Sequence, residues 1–268
     1  MSEVRIGTSG WLYPPWRGTF YPKGLTQKRE LEYLSRQVSS IEINGSFYSL
    51  QRPESYQRWR DETPSGFVFS VKGPRFITHM KRLKDSDTTL ANFFASGVLA
   101  LEEKLGPILW QLPENFRWDR DLFAGFFDEL PRTTKAAAKL AKSHDSRLDG
   151  RAWTETDTDR PLRYALEVRN PDYPRSEFVE LLRDKQIALV VADTAGRWPL
   201  FDEVTTEFMY VRLHGDEELY TSGYTDRALD EWAKKVKRWR KKGDVFVYFD
   251  NDVKVRAPYD AKGLIERL

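Results

Sequence analysis

Apolar and β-branched residues along the chain fall into short runs, each closed off by Gly, Pro, Asn or Asp, which is the pattern of strands buried on both faces. Eight such runs predict strands at 4–7, 40–43, 67–71, 107–111, 162–168, 187–192, 208–213 and 244–249. Between them apolar residues recur at helical spacing, as at Leu31, Leu34 and Val38. The spacing predicts helices over 26–38, 53–62, 87–105, 119–130, 176–185 and 225–242. Strand followed by helix through the whole chain predicts parallel pairing with right-handed crossovers. Eight such units in 268 residues match one α/β domain over 1–268, a (β/α)8 TIM-type barrel. An open doubly wound sheet is the alternative. Against it, Gly7-Thr8-Ser9-Gly10 leads into Trp11 and Pro14-Pro15, so the phosphate-binding turn into a helix N-terminus is missing.

Two stretches depart from the repeat. Residues 132–161 hold a short Ala/Lys helix at 134–143 and then a polar, Asp- and Thr-rich segment, which reads as a mobile excursion. Between strands six and seven, residues 197–204 leave room for one turn of helix, so one β/α unit is irregular.

Composition narrows the chemistry. With no cysteine there is no disulfide, thiolate metal site or cysteine nucleophile, and a reducing, cytoplasmic setting fits. Lys and Arg number 43 against 41 Asp and Glu, so the net charge of +2 does not by itself indicate a nucleic-acid partner. The opening residues lack a basic segment followed by an apolar one, and no apolar run reaches membrane-spanning length, so no membrane partner is expected. The basic run at 234–242 lies on a predicted outer helix and reads as a solvated face.

In parallel barrels the chemistry collects at the carboxyl ends of the strands. There the sequence places Trp11, Glu42, Asn44, Lys72, Gln111, Glu167, Arg169, Asp193, Arg212, His214, Asp250, Asn251 and Asp252. Glu42 sits in an apolar alternation that turns its carboxylate into the barrel mouth. It needs a partner there, and a purely structural ion pair with Lys72 or Arg212 would satisfy it. Glu167 and Arg169 are two apart on a strand and can neutralise each other. Asp193 before Thr194 can be a simple turn. Of the three histidines, His79 and His214 follow predicted strands, and His144 reads as a surface residue. A loop histidine is more often structural than catalytic, yet its near-neutral reference pKa suits proton transfer or metal ligation. Glu42, Glu167, Asp193 and His214 together offer a ligand set for a divalent metal, without diagnostic spacing. No organic cofactor is indicated.

The aromatic content is high, at 14% with nine Trp. Ten of these rings lie between Trp11 and Trp59, around the ends of strands one and two. They can wall a site for sugars or bases, or they can simply hold down a long first loop.

Taken in order, IGTSGW at 6–11, SSIEINGSFY at 39–48, TPSGFVFSVKG at 63–73, ITH at 77–79, LGPILWQLP at 105–113, RYALEVRNP at 163–171, VADT at 191–194, YVRLHG at 210–215 and VYFDND at 247–252 resemble the YecE-like proteins of domain-of-unknown-function family 72. The resemblance runs almost end to end. It implies a (β/α)8 barrel, in agreement with the strand count, and brings no established activity. The chain departs from the family pattern at Asn170 and Tyr173, where His and Trp are frequent, and at Asp250, where Asn is usual.

These residues favour an enzyme, a hydrolase or lyase working by acid–base or metal-assisted chemistry on a phosphorylated, nucleic-acid or sugar substrate at the barrel mouth. Lys72, Arg169 and Arg212 would hold an anion, Glu42 or Glu167 would act as general base, and His214 would donate a proton. Trp11, Tyr48 and Tyr224 would wall the substrate, with Asn44, His79, Gln111 and Asn251 completing its contacts. A Glu42/Glu167 carboxylate pair would serve a glycosidase variant. The alternative is a non-catalytic protein that binds a nucleic acid or another anionic ligand.

Overall fold

The computed structural model describes residues 2–268. The strands β1 (Val4–Ser9), β2 (Ser40–Ile43), β3 (Val68–Lys72), β4 (Leu105–Gln111), β5 (Tyr164–Glu167), β6 (Ile187–Asp193), β7 (Phe208–Leu213) and β8 (Asp244–Phe249) form a closed barrel in chain order. Parallel pairing joins β1 to β2 and to β8, β3 to β4, β4 to β5, β6 to β7, and β7 to β8. The helices are α1 (Glu30–Ser35), α2 (Gly45–Tyr48), α3 (Pro53–Glu62), α4 (Asp87–Ala95), α5 (Arg120–Glu129), α6 (Thr134–Ala141), α7 (Arg175–Asp184), α8 (Asp226–Arg240) and α9 (Ala257–Ile265). The chain divides into two compact units. One comprises the chain to Glu42, Thr63–Val68 and Ala188–Leu268, and the other Ile43–Glu62 and Phe69–Ile187.

In the first unit, β7 is buried at all six positions, as expected of a strand covered on both faces. Gly7 lets β1 approach β2: a Cβ there would stand 1.7 Å from the Ser40 carbonyl oxygen. Helix α8 begins at Thr225, whose hydroxyl accepts from Ala228 N at 3.2 Å. It buries Leu229, Trp232, Ala233, Val236 and Trp239 along one face. The basic run lies on the opposite face: Lys234 pairs with Glu231, and Lys235 Nζ stands 4.1 Å over the Trp232 ring. Much of the aromatic excess packs the first loop. Trp16 is fully buried against Tyr13, Phe20 and Tyr21, and Tyr21 Oη donates to the Trp11 carbonyl at 2.7 Å.

In the second unit, Phe93 and Phe126 pack on Trp110, a fully buried β4 side chain. Here the predicted helix over 87–105 is broken. Gly97 adopts φ +112°, and a Cβ on it would come within 2.5 Å of Pro53 Cα, so the chain turns and resumes as a tighter helical segment over Val98–Lys104. The segment at 142–161 is irregular but tied down. Asn92 exchanges hydrogen bonds with Asp145, Trp153 N donates to the Ala95 carbonyl, and Thr134 Oγ1 donates to the Thr158 carbonyl. Back in the first unit, no helix forms at 197–204, where Trp198 N is instead bonded to Thr194 Oγ1 at 2.9 Å. Helix α9 has no counterpart among the sequence-predicted helices.

Candidate functional site

Strand register builds a polar cluster in the first unit. Ser9 pairs with Glu42 across β1 and β2, Arg212 pairs with Tyr248 across β7 and β8, and Asp250 N donates to the Leu213 carbonyl at 2.8 Å. Glu42 is fully buried. Its Oε1 accepts from Ser9 Oγ and Arg212 Nη2, both at 2.8 Å, and its Oε2 accepts from Tyr210 Oη at 2.6 Å and Arg212 Nε at 3.1 Å. Two donors on each oxygen occupy the carboxylate's lone pairs. Glu42 therefore has no free lone pair for a substrate proton or a metal, and its partner is Arg212.

Arg212 Nη2 also donates to Asp250 Oδ2 at 2.9 Å. The same oxygen lies 3.0 Å from His214 Nδ1. His214 is fully buried, and neither ring nitrogen has an aligned hydrogen-bond partner among the described residues. Trp198 and Tyr220 present ring edges or faces to it at centroid distances of 6.3 and 5.3 Å. Asp250 keeps 15% of its side chain exposed, so it is the solvent-side member of the contact. Burial, and then the Asp250 charge, push the Asp252 carboxyl up to about 6. Tyr13 donates its hydroxyl to the Ser9 carbonyl, and burial raises its phenol well above the usual value, with Asp250, Asp252 and Glu42 adding to the shift.

Asp193 has its own partner for the carboxylate, Tyr224 Oη, which donates to it at 3.1 Å; burial raises its carboxyl. Burial also raises the Tyr224 phenol, followed by the Asp193 charge. The Asn251 amide donates to the Ser222 carbonyl at 2.8 Å and to Asp260 Oδ2 at 2.7 Å, which ties the chain at the start of α9. Trp11 is buried, and its carbonyl receives the Tyr21 hydroxyl.

The second unit carries a cationic, aromatic group. Lys72 Nζ lies 4.2 Å over the Phe47 ring, which meets His79 edge to face at 5.2 Å. Burial holds the His79 imidazole down to about 4, and the charges of Lys72, Arg75, Arg169 and Arg82 press it the same way. Arg169 Nε donates to Glu167 Oε1 at 2.8 Å, the mutual neutralisation that their spacing permits. Gln111 Nε2 donates to the Leu112 carbonyl at 3.0 Å. Asn44 Oδ1 is buried without a hydrogen-bond partner. Tyr48, in contrast to Phe47, is 72% exposed.

Of the suggested metal ligands, Glu42, Asp193 and His214 lie in the first unit and Glu167 in the second. Among the described residues no group of three or more His, Asp or Glu side chains is placed to hold a metal ion. The physical reason is partner competition: Arg212, Arg169 and Tyr224 each occupy a carboxylate of the set. Sequence reasoning placed Asp250 and Asp252 at the end of strand eight without giving either a role, and it did not select Tyr13.

The model for the family described as "Protein of unknown function DUF72" matches residues 5–268. The chain belongs to the DUF72 family. It is 32% identical over 263 residues to UPF0759 protein YecE of Escherichia coli O157:H7, covering 95% of this chain and 89% of that protein. It is 27% identical over 295 residues to UPF0759 protein YunF of Bacillus subtilis, covering 99% and 94%. A crystal structure of a DUF72 family protein from Thermotoga maritima superposes with a TM-score of 0.78 at 25% identity, covering 98% of each chain. The TIM-type barrel of this DUF72 chain is thus shared with its solved relative. Among the described residues no helix is long and apolar enough to cross a membrane.

Proposed function

We propose that this DUF72 protein is an enzyme that moves protons on an anionic substrate, a hydrolase or lyase for a phosphorylated, nucleic-acid or sugar compound, with His214, Asp250 and Asp252 as the proton-handling set. The observation that carries this reading is the 3.0 Å contact between Asp250 Oδ2 and the fully buried, otherwise unpartnered His214 Nδ1. Such a contact orients an imidazole for proton transfer. The Arg212 pairing at 2.9 Å fixes the Asp250 carboxylate in place. The raised Asp252 carboxyl, two residues along, keeps a proton to higher pH and serves as general acid. Because His214 is enclosed, its proton reaches substrate through Asp250. Glu42 fixes Arg212 rather than reacting.

A panel of chromogenic phosphomonoesters, phosphodiesters and glycosides, together with single-stranded and duplex nucleic acids, tests the reading. Turnover of at least one class is expected, falling by roughly 10²-fold or more in D250N and H214Q with folding retained. Absence of turnover across the panel, or turnover unchanged in both variants, overturns it.

A further inference from the structure

Within the second unit, α2 and residues 74–80 border a cavity of about 380 Å³. That is the size of a small-molecule site rather than a packing defect. Its walls are unusually apolar for exposed surface. Among the described residues eight large hydrophobic side chains are exposed, and three of them, Tyr48 at 72%, Met80 at 64% and Phe76 at 36%, line this one cavity. Scattered exposed apolar residues need no explanation, but a convergence of three does.

The polar lining is specific as well. Two guanidinium groups reach the cavity, Arg75 and Arg147. Arg147 is neutralised by Asp145, with Nε contacts of 3.1 and 3.0 Å to its two oxygens and Nη2 at 2.5 Å. Arg75 is exposed and has no carboxylate or hydrogen-bond partner for its side chain among the described residues. His79, two residues beyond Ile77, is held down by burial first and then by the charges of Lys72, Arg75, Arg169 and Arg82, so Arg75 is one of several cations on this side of the unit. The Tyr48 ring meets Phe47 edge to face, at 90° and 5.1 Å, which leaves its exposed surface available for stacking.

We propose that this cavity binds a small ligand that joins a planar aromatic ring to a phosphate group, a nucleoside monophosphate in chemical class. The ring stacks on Tyr48 beside Phe76 and Met80. The phosphate takes the unpaired Arg75 guanidinium, whose planar fork fits two phosphate oxygens. Stacking on an aromatic face tolerates any base, so the class is fixed by ring plus phosphate and not by base identity.

Isothermal titration calorimetry on the full chain tests the proposal with the four common nucleoside monophosphates, and with adenosine and inorganic phosphate as separate arms. At least one monophosphate is expected to bind with a Kd below about 1 mM, and each separate arm at least roughly tenfold more weakly. R75Q should weaken the monophosphate about tenfold while leaving the nucleoside unchanged, whereas Y48A should weaken both. Both side chains are exposed, so the variants are expected to fold, with melting temperature as the control. No monophosphate binding at millimolar concentration overturns the assignment, as does binding that is unchanged in both variants. Phosphate binding as tightly as the nucleotide reduces the site to an anion site and overturns the aromatic half. Calorimetry reads binding alone, so its outcome is distinct from that of the turnover panel.

Discussion

Arg212 grips Glu42 with two nitrogens, Nη2 to Oε1 at 2.8 Å and Nε to Oε2 at 3.1 Å, and both side chains are withdrawn from solvent. The two residues lie 170 positions apart in the chain, and this pair links the end of β2 to the end of β7. A planar fork on a carboxylate whose remaining lone pairs are taken by Ser9 and Tyr210 offsets the cost of desolvating both ions.

Removing Arg212 leaves the buried Glu42 carboxylate with only the Ser9 and Tyr210 hydroxyls, and removing Glu42 leaves the buried Arg212 with Asp250 as its counter-ion. E42A and R212M are each expected to destabilise the protein by about 3–5 kcal/mol. For a chain of this length that lowers Tm by roughly 10 °C. The double variant E42L/R212M removes both charges of the pair, although Asp250 also loses its Arg212 contact, and should be less destabilised than the two single costs added together. Thermal unfolding of the three proteins decides the matter. Strict additivity would show that the pair is not coupled in the folded state.

Asp252 carries a pH signature. Its carboxyl is raised to about 6 in the folded protein, by burial first and by Asp250 second, against about 3.9 in an unfolded chain. The folded state therefore binds the proton more tightly, and this group's stabilising contribution is present at low pH and lost as pH rises from about 4 through 6. D252N removes that dependence. Urea midpoints at pH 4 and pH 7 should show D252N gaining stability relative to the parent at the higher pH. An identical pH response in both proteins would contradict the raised carboxyl.

His79 runs in the opposite direction. Its folded-state value near 4 lies below the usual 6.5, so the folded protein resists its protonation and loses stability as pH falls from about 6.5 towards 4. The His79 ring resonances should titrate near 4 by NMR. In R75Q, one of the four cations facing it is gone, and the midpoint should move upward. A midpoint that does not move would mean that the Arg75 charge does not reach the imidazole.

The fold was largely written in local pattern. The runs at 40–43, 208–213 and 244–249 coincide with β2, β7 and β8, because strands buried on both faces must be continuously apolar or carry a paired polar group. Helix α3 likewise begins at Pro53, a residue suited to the first helical turn, and ends at Glu62. The break at Gly97 was less visible. A glycine within an apolar stretch does not disclose the left-handed turn that Pro53, 44 residues earlier, enforces by contact. Helix α9 has no local helical signature because Pro258 and Gly263 are weak helix formers, and Asp260 in its first turn is buried by bonds to Tyr224 and Asn251.

What the sequence by itself determined is the alternation of strands and helices, the parallel barrel they imply, and the list of polar residues at the strand ends, since each of these follows from neighbours a few positions apart. Only the tertiary structure decided what those polar residues do. Glu42 is saturated by donors from two other strands, His214 faces Asp250, and Asp252 is lifted by burial, while Arg75 is left without a counter-ion beside an open aromatic wall. The physical reason is that a side chain's chemistry is fixed by its hydrogen-bond partners and its access to water, and the register between strands far apart in the chain sets both.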